Sequence, residues 1–191
     1  MPDKTKTSPG ARLRRHLALI AAGALCSGCV TQYKVTVEFS PLLRDHFTEY
    51  PTIEVDIAAV TDGEADEVKQ AGVEKYFSPD SGFRSRLQSQ TCFFSQEDQA
   101  AFVLPSRAPV WRQWRLKNPA NILVIASLPQ DGAMTPQADP RYLLVKMKRS
   151  YILARTLAVL VEPKKIIQLS RSQAKAKTNK PQTAEQWIEE R

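Results

Sequence analysis

Apolar and polar residues alternate cleanly in Tyr33-Lys-Val-Thr-Val-Glu-Phe39. Tyr33, Val35, Val37 and Phe39 share one face; Lys34, Thr36 and Glu38 share the other. A period of two is that of a half-buried strand. Ser40-Pro41 ends it, and residues 40–52 read as a long connection. A second alternating run over 53–60 puts Ile53, Val55 and Ile57 inward and Glu54 and Asp56 outward. Thr61-Asp-Gly-Glu64 is a capping box, in which the threonine hydroxyl accepts from a free backbone N–H while the glutamate reaches back. The helix it opens, over 64–77, carries Ala65, Val68, Gly72 and Tyr76 at helical spacing. Gly72 costs that helix about 1 kcal/mol relative to alanine.

The remaining pattern is β-rich. Short strands are predicted at 91–94 and 101–104, with Ser95-Gln-Glu-Asp98 as an alternative helical turn. Pro109 suits the first turn of a short helix over 109–117, whose stripe is Val110, Trp111 and Trp114 and whose wet side is Arg112, Arg115 and Lys117. The run 121–128 is continuously apolar and suits a central strand. Residues 129–140 form a Pro/Gly/Asp-rich loop. Strands follow at 142–148, 152–161 and 166–169, the last two as a hairpin around Glu162-Pro-Lys-Lys165. Six or seven strands without regular helical alternation exclude a doubly wound α/β fold. The expected class is mainly β (α+β): an antiparallel β-sandwich with one or two inserted helices.

The N-terminus is organised differently. Lys4, Lys6, Arg12, Arg14 and Arg15 precede the apolar run 17–25, which ends at Cys26-Ser-Gly-Cys29. A positive flank, a short apolar segment and small residues before a processing point describe an export signal. The run is well short of the roughly 20 apolar residues that span a bilayer. The end of the segment resembles the bacterial lipobox, with Cys29 as the modified cysteine after Ser27 and Gly28. The resemblance implies acylation of Cys29, palmitate included, and Val30 rather than Asp after it implies sorting to the outer membrane. The chain then divides into a signal peptide (1–28), a lipidated tether (29–32), a sandwich domain (33–169) and a polar tail (170–191), low enough in hydrophobes to be disordered. Val30 to Gln32 alone separate Cys29 from the first strand, a reach of about 10–15 Å.

That division changes the charge. The whole chain has 27 basic and 20 acidic residues, a net +7; residues 1–28 hold five of the bases and one acid (Asp3), leaving 22 and 19, a net +3. Arg171, Lys175, Lys177, Lys180 and Arg191 of the remainder lie in the tail. The domain itself is near neutral, which argues against a nucleic-acid partner. With Cys26 removed and Cys29 acylated, only Cys92 is left, so no intrachain disulfide forms; beside Phe93 and Phe94 it reads as a buried thiol.

The mature chain has one histidine, His46, next to Asp45, without the Gly-x-Ser-x-Gly turn of a serine hydrolase. One histidine and one free cysteine make a zinc site improbable, and no phosphate-binding glycine pattern is present. No cofactor and no metal are expected. Two surfaces stand out instead. Leu42, Leu43, Phe47 and Tyr50 flank Arg44, Asp45 and His46 in the 40–52 connection, a mixture typical of interface anchors; the bland alternative is that they fold over one end of the sandwich. Trp111 and Trp114 are either core or a stacking platform for a ligand.

The order of lipobox, short tether, strand (33–39), loop (40–52), strand (53–60), helix (64–77) and apolar strand (122–128) resembles the outer-membrane lipoprotein of type VI secretion systems, the TssJ-type family. Ser40-Pro41 stands where that family commonly has Asn-Pro, and Ala59-Val60 where it has Gln-Leu. The resemblance implies a transthyretin-like sandwich with an inserted helix and no enzymatic role. It also implies a first loop (Leu42, Leu43, Arg44, Phe47, Tyr50) that holds the periplasmic domain of an inner-membrane secretion component. The alternatives are an envelope lipoprotein that binds a small ligand or cell-wall fragment through Trp111 and Trp114, or an envelope hydrolase using His46.

Overall fold

The computed structural model describes residues 33–47, 52–95, 101–129, 139–148, 155–170 and 172–173. Cys29 and its tether, Tyr50, the turn proposed at 95–98 beyond Ser95, and most of the tail therefore lie outside the described residues.

Among the described residues, eight strands make two four-stranded sheets. The first has the order β4 (Ala101–Leu104), β1 (Tyr33–Phe39), β7 (Arg155–Glu162), β8 (Lys165–Gln168). The second has the order β3 (Gln90–Phe94), β2 (Ile53–Val60), β5 (Asn121–Ala126), β6 (Tyr142–Lys146). The expected sandwich is present, with one departure from a purely antiparallel plan: β1 and β7 are parallel, Tyr33 opposite Arg155 and Phe39 opposite Val161. A parallel pair needs a long crossover, and here nearly the whole domain lies between its two strands.

The inward faces follow the alternation. Val35 and Val37 of β1, Val55 and Ile57 of β2, Ile122 and Val124 of β5, and Val159 and Val161 of β7 are all fully buried. Phe39 stacks on Phe94 from the other sheet, with ring centroids 4.2 Å apart. Each such side chain contributes about 1.5–3 kcal/mol on burial.

A third layer of helices covers the outer face of the second sheet. α1 (Leu42–His46) lies in the first connection. α2 (Asp62–Phe77) begins at the capping box: Thr61 N–H donates to Glu64 Oε2 at 2.9 Å and Glu64 N–H to Thr61 Oγ1 at 3.2 Å. Within α2, Gly72 has φ 79° and ψ 168°, so the helix is two pieces joined at a kink. Only glycine takes that conformation without strain, which explains the glycine inside a helical pattern. After a 3₁₀ turn at Pro79–Ser81, a short α3 (Phe83–Leu87), absent from the periodicity reading, returns the chain toward β3. α4 (Val110–Leu116) buries Val110, Trp111 and Trp114 as its stripe predicts.

The sheet registers define two poles. β1 leaves Tyr33 at one pole and ends at Phe39 at the other, about 20 Å away at the rise of a strand. The entry pole also holds the end of β2 at Val60, the start of β5 at Asn121, the end of β6 and the start of β7. The far pole holds Ile53, Phe94 and Ala126.

Gly72→Ala should lower the unfolding free energy by more than about 1 kcal/mol, because alanine cannot take this φ freely. Urea unfolding followed by tryptophan fluorescence measures it; an unchanged midpoint would refute the kinked geometry.

Candidate functional site

The far pole is closed by α1. Ser40 N–H extends the β1 ladder by donating to Val161 O at 2.9 Å. Ser40 Oγ then accepts from Leu42 N–H at 3.3 Å, and Ser40 O from Leu43 N–H at 3.0 Å. Pro41 enters in the right-handed helical region. These contacts turn the strand end into a helical turn, where the sequence suggested only a connection.

The turn sorts the candidate residues. Leu43 is fully buried and belongs to the core, so its assignment as a binding residue is corrected: it is the foot that fastens the turn to the sandwich. Phe47 is half-buried and packs against the same core, with its ring edge-on to His46 at 5.0 Å. Leu42 is 56 % exposed, and Arg44, Asp45 and His46 are exposed beside it. Tyr50 is outside the described residues. One side of this connection thus folds over the sandwich and the other faces solvent.

The tryptophans take the core alternative. Trp114 is fully buried and Trp111 nearly so. The Trp114 indole N–H is shared between Leu87 O (3.1 Å) and Gln88 O (3.2 Å), and that of Trp111 donates to Pro105 O at 3.0 Å. The rings pack edge-to-face, 4.9 Å apart. With faces and N–H groups both occupied, neither offers a stacking platform to a ligand.

Between the second sheet and the helical layer lie two constellations that strand periodicity missed. Asp56, expected on the wet face of β2, is fully buried beneath the helical layer. Its carboxylate accepts from Tyr76 Oη (3.0 Å), Ser89 Oγ (2.9 Å), Thr91 Oγ1 (2.6 Å), Arg84 Nε (2.9 Å) and Arg84 Nη2 (3.4 Å). Arg84 also pairs with Glu54 at 2.8 Å and lies 5.5 Å over the ring of Phe77. Burial works against the Arg84 charge, but Asp56 and Glu54 outweigh it and hold the guanidinium above its ordinary value. Burial, then the Asp56 charge, keeps the Tyr76 phenol protonated far above its usual range. Cys92 is buried as expected, and its thiol is pushed up to about 12, first by burial and then by Asp56. An aspartate within a strand is disfavoured unless something holds it, and that was the available signal.

Beside this hub, Glu54, Arg84, Phe77, Ser85 and Ser127 line an open cleft of about 560 Å³. The second constellation is Arg141, itself buried, which meets Asp139 through Nε at 3.0 Å and Nη2 at 2.6 Å, Leu128 O at 3.2 Å and Glu74 at 2.5 Å. It ties the start of β6 to α2. Both constellations are saturated with internal partners, the pattern of structural crosslinks. Among the described residues, no group of three potential metal ligands converges.

No protein-family model matches the sequence, and no curated protein matches it. The fold is similar to that of Lip from Serratia marcescens, a membrane-bound component of the type VI secretion system: 8 % identity, 74 % of this chain against 98 % of that one, TM-score 0.50. Looser overlaps exist with the type VI secretion lipoprotein TssJ1 from Pseudomonas aeruginosa (6 % identity, 74 % and 96 % covered, TM-score 0.43) and the C-terminal domain of the type VI secretion protein TssM from EAEC (8 %, 74 % and 99 %, 0.44). The resemblance drawn from element order therefore extends to the fold.

Asp56→Ala should lower stability by about 1–3 kcal/mol, because it leaves the buried Tyr76 hydroxyl without its acceptor and takes one of the two carboxylates from Arg84; Tyr76→Phe removes one hydrogen bond and should cost about 1 kcal/mol. Denaturant titration distinguishes them, and equal losses would refute Asp56 as the hub. The folded chain keeps the Cys92 proton to about pH 12 while the unfolded chain releases it earlier. Rising pH above the ordinary thiol range must therefore favour unfolding. Cys92→Ala should flatten that alkaline decline, as measured by stability against pH.

Proposed function

We propose that this chain is an outer-membrane lipoprotein of a type VI secretion system, facing the periplasm, that tethers the secretion membrane complex without catalysing a reaction. In this reading residues 1–28 are removed and Cys29 is acylated. At about 0.8 kcal/mol per buried CH₂, more than one acyl chain is needed for stable anchoring. The far pole then holds the periplasmic domain of an inner-membrane secretion component.

One observation carries the reading: the chain enters the sandwich at Tyr33, and the solvent-facing candidates sit at the opposite pole, at the other end of β1. A tether must grip the membrane at one end and its partner at the other. The fold shared with Lip supports it. Leu42 and Arg44 are the exposed contact residues, Phe47 lends a partly covered ring, and Tyr50 belongs to the same loop. Leu43 supports them from the core. A buried foot beneath exposed anchors holds the contact residues in place before binding and reduces the ordering cost of association.

Cys29→Ala should abolish both lipidation and membrane retention. Finding that variant still membrane-bound after a high-salt wash would count against the anchor. Leu42→Asp with Arg44→Glu should reduce recovery of the inner-membrane partner from crosslinked membranes by about tenfold or more, as removal of an interface anchor does, with the unfolding midpoint unchanged. Full recovery with the double variant would sink the loop assignment.

A further inference from the structure

The entry pole carries a surface that the tethering reading leaves unused. α4 turns Val110, Trp111 and Trp114 inward and presents Arg112, Arg115 and Leu116 to solvent. Leu116 is 89 % exposed, more than any other large hydrophobic residue among those described. The helix belongs to this pole: Trp111 lies against Tyr33, the first residue of β1, at 6.5 Å. The chain leaving α4 joins the end of β2, where Ala120 N–H donates to Val60 O at 2.9 Å. Arg107, Lys146 and Lys148 are exposed on the same pole. The acids nearby are occupied. Asp62 accepts from Asn121 Nδ2 at 2.8 Å, and Glu64 pairs with Lys117 at 3.2 Å.

We propose that this pole rests on an anionic phospholipid surface, with Leu116 entering the boundary between headgroups and acyl chains and Arg112 and Arg115 pairing with lipid phosphates. The inference rests on acylation at Cys29. Three residues between Cys29 and Tyr33 reach about 10–15 Å, so the anchored domain keeps this pole, and not the other, near the leaflet. An exposed leucine rimmed by bases complements that surface: the apolar tip leaves water while each base near an anionic leaflet raises affinity by about fivefold. Acylation alone leaves the domain free to swing on its tether. Docking through α4 fixes its orientation and points α1 away from the membrane, toward a partner arriving from the other side of the periplasm.

The test uses the full lipidated chain reconstituted into vesicles with quencher-bearing lipids, labelled with an environment-sensitive fluorophore at Gln113→Cys on α4 or, as the far-pole reference, at Asp45→Cys. With phosphatidylglycerol present, the label at 113 should be quenched several-fold more than the label at 45. The difference should shrink on pure phosphatidylcholine, with Arg112→Glu/Arg115→Glu, and toward 1 M salt, where the screening length falls to about 3 Å. Leu116→Asp should weaken it while leaving the unfolding midpoint unchanged. If the protein floats with the vesicles but position 113 is quenched no more than position 45, docking is overturned and the lipid anchor stands. An excess at position 113 as large on phosphatidylcholine as on phosphatidylglycerol overturns the charge pairing on which the proposal depends. A chain that does not float removes the anchor and the docking together.

Discussion

Asp56 is fully buried, and removing a carboxylate from water costs several kcal/mol unless partners replace the lost hydration. Those partners come from every element around it: Tyr76 from α2, Arg84 from α3, Ser89 from the turn after it and Thr91 from β3. A hub of this kind tolerates only one placement of the helical layer on the second sheet. An apolar contact would let α2 slide; a carboxylate with five directed bonds does not. The kink at Gly72 serves the same geometry, since it redirects the second half of α2, with Tyr76 near its end. The long excursion from β2 to β3 is thus pinned at its middle and at both ends.

That rigidity gives the two poles their meaning. β1 is the shared reference: its first residue receives the chain from the proposed anchor, and its last hands over to α1. Sequence neighbours thereby become opposite ends of the domain, about 20 Å apart, because a strand is stiff and extended. The parallel pairing of β1 with β7 places the strand that begins the domain beside one that nearly ends it. Pulling on either pole loads the ladder between them along its length. The buried charges of Asp56 and Arg141 are consumed by internal bonds rather than directed into the cleft.

Local signals determined much of this molecule. The alternation from Tyr33 to Phe39 and from Ile53 to Val60, the capping box at Thr61 and the Val110–Trp111–Trp114 stripe each identify their element and its buried side, because strand and helix periods and a cap's hydrogen bonds are properties of neighbouring residues. Tertiary structure decided the rest. Asp56 looked like any outward residue of a strand until the helical layer covered it. Leu42 and Leu43 are adjacent and chemically identical, yet one faces solvent and the other fills the core, since the angle at which Ser40 and Pro41 turn the chain is set by the β7 backbone far along the sequence. The same holds for Leu116, whose exposure among three buried neighbours on α4 depends on what the helix packs against. Periodicity tells which residues share a face, but only packing between distant segments decides which faces remain for water, a partner or a membrane.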